Sequence, residues 1–263
     1  MELMKLSLLG CLMMVALSAN GASLSVANQG FEDLYLGSDL PDEYGGVVPA
    51  TAFPSGPAPA GWTPYGASGH ADAFLGVLNP GSVFFLPGQF EGNNVALAYF
   101  GNYLGGAEFG IEQTLGDTLQ LNTTYTLQVD IGNIASGTST VAPYLNQGLF
   151  NLAGFPGYRV ELLAGTTLIA MDNDSLNPAE GEFQTSTIQA TIGSSHTAQG
   201  QDLTIRLISL NLLDVNDPAV TGIEVDFDDV RLDAVAVPLP PAFALLLPAL
   251  LALVTLRRGA VTQ

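Results

Sequence analysis

Three aspartates stand close together near the end of the chain, in the stretch DFDD at residues 226–229. Carboxylates this close repel one another unless a cation lies between them. Calcium binds six to eight oxygen ligands, which include carboxylates and backbone carbonyls. The stretch is therefore a candidate calcium site. The alternative is that these acids are solvated side chains at the end of a strand.

Aromatic residues in loops suggest a second kind of chemistry. Sugars stack their apolar faces on exposed aromatic rings, while polar side chains bind the hydroxyls. Trp62, the only tryptophan, and Tyr65 lie in the stretch GWTPYG, which is rich in turn residues. We predict that they form part of a sugar-binding platform. The alternative is that Trp62 fills one end of the hydrophobic core.

Catalytic motifs are weak in this chain. Glycoside hydrolysis needs a pair of carboxylates, but with 25 acidic residues some pair can always be imagined. His70 and His196 are the only histidines, and the sequence contains neither a G-x-S-x-G nor an H-E-x-x-H motif. The sequence therefore predicts a protein that is not an enzyme.

The charge of the chain excludes one class of partner. The body from Ser23 to Ala236 has 24 acidic residues against three arginines, a net charge of −21. Binding to a phosphate backbone requires clustered lysine and arginine, which the body lacks, so we exclude nucleic acid. A strongly anionic surface instead attracts divalent cations.

The elements that must position these residues are β-strands. Apolar and polar residues alternate in TYTLQVDI (Thr124–Ile131), YRVELL (Tyr158–Leu163), DLTIRLISL (Asp202–Leu210) and IEVDFDDVRL (Ile223–Leu232). This period of two is typical of half-buried antiparallel strands, whose polar face meets water. In the last stretch, Glu224, Asp226 and Asp228 fall on that polar face. Many short strands between glycine and proline turns predict an all-β sandwich of antiparallel strands.

The chain divides into a leader, one domain and a C-terminal segment. Lys5 precedes the apolar run Leu6–Leu17, and small residues follow, which predicts a signal peptide over residues 1–22. Residues 23–234 form the sandwich domain. Residues 235–258 contain an apolar run closed by Arg257 and Arg258, about the 20 residues that cross a bilayer, and 259–263 are a short tail. A plain membrane anchor and a buried core helix are the alternatives for this segment.

The C-terminal segment resembles the PEP-CTERM sorting signal of Gram-negative bacteria, in its VPLPA-like variant. The resemblance rests on Val237, Pro238 and Pro240, on the apolar helix, and on the arginines at 257 and 258. It implies processing by exosortase, a membrane transpeptidase, and bacteria that make exopolysaccharide and biofilm. It also implies an exported protein at the cell surface or in the extracellular matrix, anchored transiently or permanently in the inner membrane.

The body resembles the jelly-roll sandwiches of the galactose-binding-like group, which includes carbohydrate-binding modules. The stretches that carry the resemblance are ANQGFED, PAGWTPYG and GIEVDFDDVRLDAV. In that family a structural Ca²⁺ joins the first and last strands. The resemblance implies Glu32 and Asp228 or Asp229 as its ligands.

Together these observations predict an exported, non-enzymatic surface or matrix protein that binds extracellular polysaccharide. A structural or adhesive calcium-dependent matrix protein is the alternative, and a glycoside hydrolase is a further one.

Overall fold

The chain folds almost entirely into β-strands. A computed structural model describes residues 21–33, 45–49, 59–66, 73–100, 108–138, 148–212 and 223–237. The strands are β1 (Gly21–Leu24), β2 (Gly45–Pro49), β3 (Thr63–Gly66), β4 (Ala73–Leu78), β5 (Val95–Phe100), β6 (Phe109–Thr118), β7 (Thr123–Asn133), β8 (Gly137–Thr138), β9 (Leu149–Phe150), β10 (Tyr158–Ala164), β11 (Thr167–Asn173), β12 (Glu182–Ile192), β13 (Asp202–Ser209) and β14 (Ile223–Ala236). One short helix, α1 (Gly81–Phe84), precedes β5.

Two antiparallel sheets make the sandwich. The larger sheet has the order β12–β7–β14–β5–β4–β2, and β1 also pairs with β14. The smaller sheet has the order β11–β10–β13–β6–β3, and β8 pairs only with β9. The all-β prediction is confirmed, and the four alternating stretches are strands β7, β10, β13 and β14.

The main core lies between the inner faces of the two sheets. On β7, Tyr125, Leu127, Val129 and Ile131 are buried and alternate with half-buried polar residues. They pack in one cluster with apolar residues of the opposite sheet, such as Ile205. Each such side chain contributes about 1.5–3 kcal/mol by leaving water.

A second apolar layer covers the outer face of the larger sheet. Phe85, Ile134 and Leu152 form its buried centre. The segment after α1 is tied down by backbone hydrogen bonds: Leu86 N–H donates to Gly181 O over 2.9 Å, and Ala135 N–H donates to Phe84 O over 3.0 Å. The first half of β14 lies between this layer and the main core, and its residues 223–228 are all buried. The prediction that the polar face of β14 meets water is therefore wrong there.

A bulge divides β14 into two halves. The register with β7 shifts between Asp228 and Arg231, so that two residues of β14, Asp229 and Val230, oppose the single residue Val129 of β7. Asp229 has a φ of 46° at this point, which is the left-handed conformation that asparagine and aspartate tolerate best. Beyond the bulge the inward positions shift by one residue, to Val230 and Leu232.

Most of the C-terminal segment lies outside the described residues, as do residues 1–20. Within it, residues 235 and 236 belong to β14, and the Val237 N–H donates to Asn122 O over 2.7 Å. Pro238, Pro240, Arg257 and Arg258 are among the residues that the structure does not describe. No helix in the described ranges has the length and apolar character of a membrane span.

Candidate active site

Two carboxyl groups lie side by side on the covered face of β14. Glu224 is 5% exposed and Asp226 is fully buried. In the sheet register Glu224 lies opposite Tyr99 of β5, while Asp226 lies between Leu97 of β5 and Gly132 of β7. The two residues are two positions apart on one strand, so their side chains project from the same face.

Burial makes this pair weakly acidic. It raises the pKa of Glu224 to about 7. It also raises the pKa of Asp226 well above its usual value, and the neighbouring Glu224 raises it further. Among the described residues, neither oxygen of Asp226 has a hydrogen-bond partner. A protonated carboxyl can donate to an ionised one, so protonated Asp226 can stabilise Glu224 once Glu224 has lost its proton.

No arginine of the described residues compensates the pair. The three that lie there form ion pairs with other carboxylates: Arg159 with Glu108 and Glu161, Arg206 with Glu112 and Glu161, and Arg231 with Asp229 and Asp130. An uncompensated buried carboxyl lowers its free energy by keeping its proton.

Glu224, but not Asp226, lines an apolar cavity of about 270 Å³ between the larger sheet and its outer layer. This volume lies just below the range of about 300–1,000 Å³ that is usual for ligand pockets. Among the described residues of the wall, Glu224 is the only charged one, and Tyr99 is the only other one with a polar side chain. The rest of the wall is apolar: Phe74, Leu78, Phe84, Leu97, Ile134, Phe150 and Leu152.

This arrangement can transfer a proton to an apolar molecule. A protonated carboxyl with a pKa near 7 holds its proton at neutral pH and yields it readily, which a general acid requires. Aromatic faces in the wall can stabilise a positive charge that develops on the bound molecule. The site therefore suits acid chemistry on hydrocarbon or aromatic substrates.

The predicted calcium ligands lie near the loop of residues 91–94. The buried Asp228 accepts a hydrogen bond from Glu91 N–H over 2.7 Å. Glu32 accepts hydrogen bonds from the backbone N–H groups of Asn93 and Asn94 over 2.7 and 3.0 Å. The same loop thus contacts both residues. Asp229 pairs with Arg231 over 3.1 Å, and its carboxyl also lies beside that of Glu91 in the loop.

The oxygen atoms at this place fit a cation in part. Asp228 Oδ1 is buried and has no hydrogen-bond partner among the described residues. Burial raises the pKa of Asp228 to about 7, and the charges of Asp229 and Asp130 raise it further. A cation would reverse this penalty. The described residues contain no group of three or more His, Cys, Asp or Glu side chains arranged to hold a metal ion, so the other ligands would have to be amide or backbone oxygens.

The aromatic residues predicted to bind sugars do not form a platform. Trp62 is 2% exposed, its ring lies 5.4 Å from that of Phe31, and its Nε1–H donates to Asn28 O over 3.4 Å. Trp62 therefore fills the core, as the alternative interpretation held. Tyr65 is half-buried on the smaller sheet, beneath the guanidinium of Arg206 at 4.5 Å.

A buried acid beside an apolar pocket on a β-sandwich fits an enzyme that transfers protons to apolar molecules. Similarity to known proteins identifies the family. The family model of the HpiC1 cyclase matches residues 22–233, and the chain belongs to this HpiC1-like family.

Solved structures of cyclases share the fold and much of the sequence. A Stig cyclase from Fischerella sp. TAU, in complex with (3Z)-3-(1-methyl-2-pyrrolidinylidene)-3H-indole, is 36% identical, with a TM-score of 0.64 over 82% of this chain and 98% of that one. An apo cyclase from Fischerella sp. is 33% identical over 83% and 98%, with a TM-score of 0.65. A cyclase from Fischerella sp. TAU in complex with 4-(1H-indol-3-yl)butan-2-one is 35% identical over 83% and 100%, with a TM-score of 0.62. No curated protein matches the chain.

These matches overturn the functional predictions from sequence. The chain is a member of a cyclase family, so the prediction of a non-enzymatic matrix protein is wrong. The identification as a PEP-CTERM protein with a carbohydrate-binding body is also wrong, because the match over residues 22–233 is to cyclases. The predicted partners, exosortase, polysaccharide and the membrane, fail with it, since cyclases with bound indole compounds indicate a small-molecule substrate.

The sequence does not indicate a role for Glu224, and it assigns Asp226 only to the candidate calcium stretch. The alternation places both residues on a solvated strand face, where acids are common. The signal that could have found them lies elsewhere, in VFFLPGQF at residues 83–90. A run this apolar outside the strands must cover some surface, and here it covers the acids.

Proposed function

We propose that this protein catalyses an acid-initiated cyclisation of an apolar, indole-bearing small molecule. One observation carries the proposal: Glu224, the buried neighbour of Asp226, is the one charged side chain among the described residues that line an apolar cavity. The family supports the reaction type. The indole compounds bound to two cyclases of more than 30% identity support the substrate class.

The proposed reaction begins with proton transfer. Protonated Glu224 donates its proton to a carbon–carbon double bond or to the indole ring, which leaves a carbocation and a Glu224 carboxylate. Asp226, still protonated, donates a hydrogen bond to that carboxylate and stabilises it. The rings of Phe74, Phe84 and Phe150 face the cavity and stabilise the cation.

Ring closure follows within the same molecule. A second double bond attacks the cation, which forms the new carbon–carbon bond and moves the positive charge to the ring. A proton then leaves the carbon next to the charge and returns to the Glu224 carboxylate. The product is an isomer of the substrate, and the enzyme is restored.

The test uses an indole that carries an alkenyl chain, incubated with the full chain in D₂O. We expect a cyclic product that carries deuterium at the protonated carbon. Glu224→Gln should lower turnover by at least about 100-fold, the usual contribution of general acid catalysis. Glu161→Gln is the matched control, because Glu161 is similarly buried but pairs with arginines on the other sheet. Wild-type turnover in folded Glu224→Gln would contradict the proposal.

We further propose that the site near residues 91–94 binds a structural calcium ion. Asp228 would hold it through its unpartnered Oδ1, with Glu32, which contacts the same loop, as the second carboxylate and Asp229 as the third residue of the predicted set. Calcium should raise the melting temperature of the wild type, and Asp228→Asn should abolish that rise. The exposed Asp202→Asn is the control. An equal rise in wild type and Asp228→Asn would exclude this site.

We propose that the sandwich is a jelly roll over residues 23–234 and that residues 1–22 are a leader for export, with the mature protein outside the cytoplasm. The lysine followed by an apolar run and small residues supports this. N-terminal sequencing of the protein from the producing cells should find a mature end near residue 23. An N-terminus at Met1 would exclude cleavage.

A further inference from the structure

The position next to Asp226 in the larger sheet is occupied by a ring from one strand further away. Gly132 of β7 lies directly opposite Asp226 of β14, and Phe183 of β12 lies directly opposite Gly132. A Cβ atom at residue 132 would lie only 2.4 Å from Cζ of Phe183. The ring of Phe183 therefore fills the space that a side chain at position 132 would take.

This places the ring beside the carboxyl pair. Side chains directly opposite each other on neighbouring strands have Cβ atoms about 4.5–5.5 Å apart. A ring at the side-chain position of residue 132 is thus the cross-strand neighbour of Asp226. Asp226 is fully buried, and the ring lies on its β7 side.

Other contacts hold the ring in place. Phe183 packs against Phe85 at 4.7 Å and against Phe90 at 6.1 Å between ring centroids. Its backbone N–H donates to Oε1 of Gln89 over 3.0 Å. The ring is therefore part of the outer layer, but it does not line the cavity itself.

We propose that Phe183 is the positioning residue that keeps water away from the carboxyl pair, and that Gly132 is the residue that admits its ring. The inference rests on the proposed function. Without the ring, water reaches Asp226 and then the cavity wall at Glu224. A carbocation in a wet cavity is captured by water: a C–O bond forms, a proton passes to solvent, and the product is an alcohol instead of an isomer of the substrate.

The test needs no knowledge of the natural substrate. The probe is 4-(1H-indol-3-yl)butan-2-one, whose indole emission moves to longer wavelength when water surrounds it. Wild-type full-length chain should bind the probe with emission at short wavelength, after subtraction of the protein's own spectrum. Phe183→Ala should shift the bound emission to longer wavelength, while affinity falls less than about tenfold because the ring does not line the cavity.

Two further variants make the result decisive. Phe183→Val keeps the strand preference of the position and removes the ring, so it should shift emission in the same direction even if Phe183→Ala does not fold. Phe155→Ala removes a ring that packs on the main core and should leave the emission of the bound probe unchanged. With an alkenyl indole in H₂¹⁸O, the Phe183 variants should yield labelled alcohol at the expense of the cyclic product.

The two possible failures differ. If the wild type does not bind the probe, the indole substrate class of the proposed function is wrong, and this inference fails with it. If the wild type binds and folded Phe183→Val gives the same emission and no labelled alcohol, only the role of Phe183 is overturned.

Discussion

Replacing Glu224 by glutamine should stabilise the protein, and only above a certain pH. Burial raises the pKa of Glu224 from its ordinary 4.5 to about 7 in the folded chain. Between these values the unfolded chain has lost the proton and the folded chain still holds it. The free energy of unfolding therefore falls as pH rises, by about 1.4 kcal/mol for each pH unit. Over this window the loss amounts to about 3 kcal/mol.

The glutamine variant lacks this loss because it does not ionise. The assay is urea unfolding of wild type and Glu224→Gln at about pH 4.5 and about pH 8, a range that brackets the window. The two proteins should differ little at the lower pH, where the wild-type group is protonated in the folded chain and about half protonated in the unfolded chain. At the higher pH the variant should gain about 3 kcal/mol relative to the wild type.

Comparison with a second variant separates this effect from the many other acids. Glu161→Gln removes a carboxylate that Arg159 and Arg206 stabilise. It should not gain stability relative to the wild type as pH rises. A constant difference between Glu224→Gln and wild type across the window would refute the reasoning, because it would mean that Glu224 has an ordinary pKa in the folded chain.

Three other substitutions test the packing around the site. Gly92→Ala should lower the free energy of unfolding by about 1–3 kcal/mol, because residue 92 has a φ of 69° and its Cβ would meet Oε1 of Glu32. Urea unfolding measures this loss, and an unchanged free energy of unfolding would contradict the loop conformation. Tyr158→Phe should cost about 1–2 kcal/mol, because the tyrosine hydroxyl donates to the buried carboxylate of Asp172; an unchanged urea midpoint would show that this bond contributes nothing. Phe227→Ala should cost about 3–5 kcal/mol as a core cavity, and a loss below about 1 kcal/mol would mean that the core there repacks.

The alternation of residues was enough to predict the strands. In β7 the apolar positions 125, 127, 129 and 131 are the buried ones, and in β10, β13 and β14 the alternating stretches are strands. A period of two reports the path of the backbone and the face that meets the main core. It depends only on neighbours in the sequence, which is why it could be predicted.

The site could not be predicted in the same way. Alternation does not tell whether the second face of a strand meets water or another layer. Glu224 shares its cavity with Phe84 and Ile134, which lie 90 or more positions away in the sequence. The stretch DFDD at 226–229 therefore looked like a solvated or calcium-binding acidic cluster, although its first aspartate forms a buried carboxyl pair with Glu224.

The most direct test of the central claim is an infrared pH titration of the carboxyl groups, with the spectrum of Glu224→Gln subtracted from that of the wild type. We expect the carbonyl band of a protonated carboxylic acid to persist well above pH 5 and to disappear with a midpoint near pH 7. A difference spectrum that contains only carboxylate bands from about pH 5 upward would show that Glu224 is ionised like an ordinary glutamate. It could not then supply the proton that starts the cyclisation.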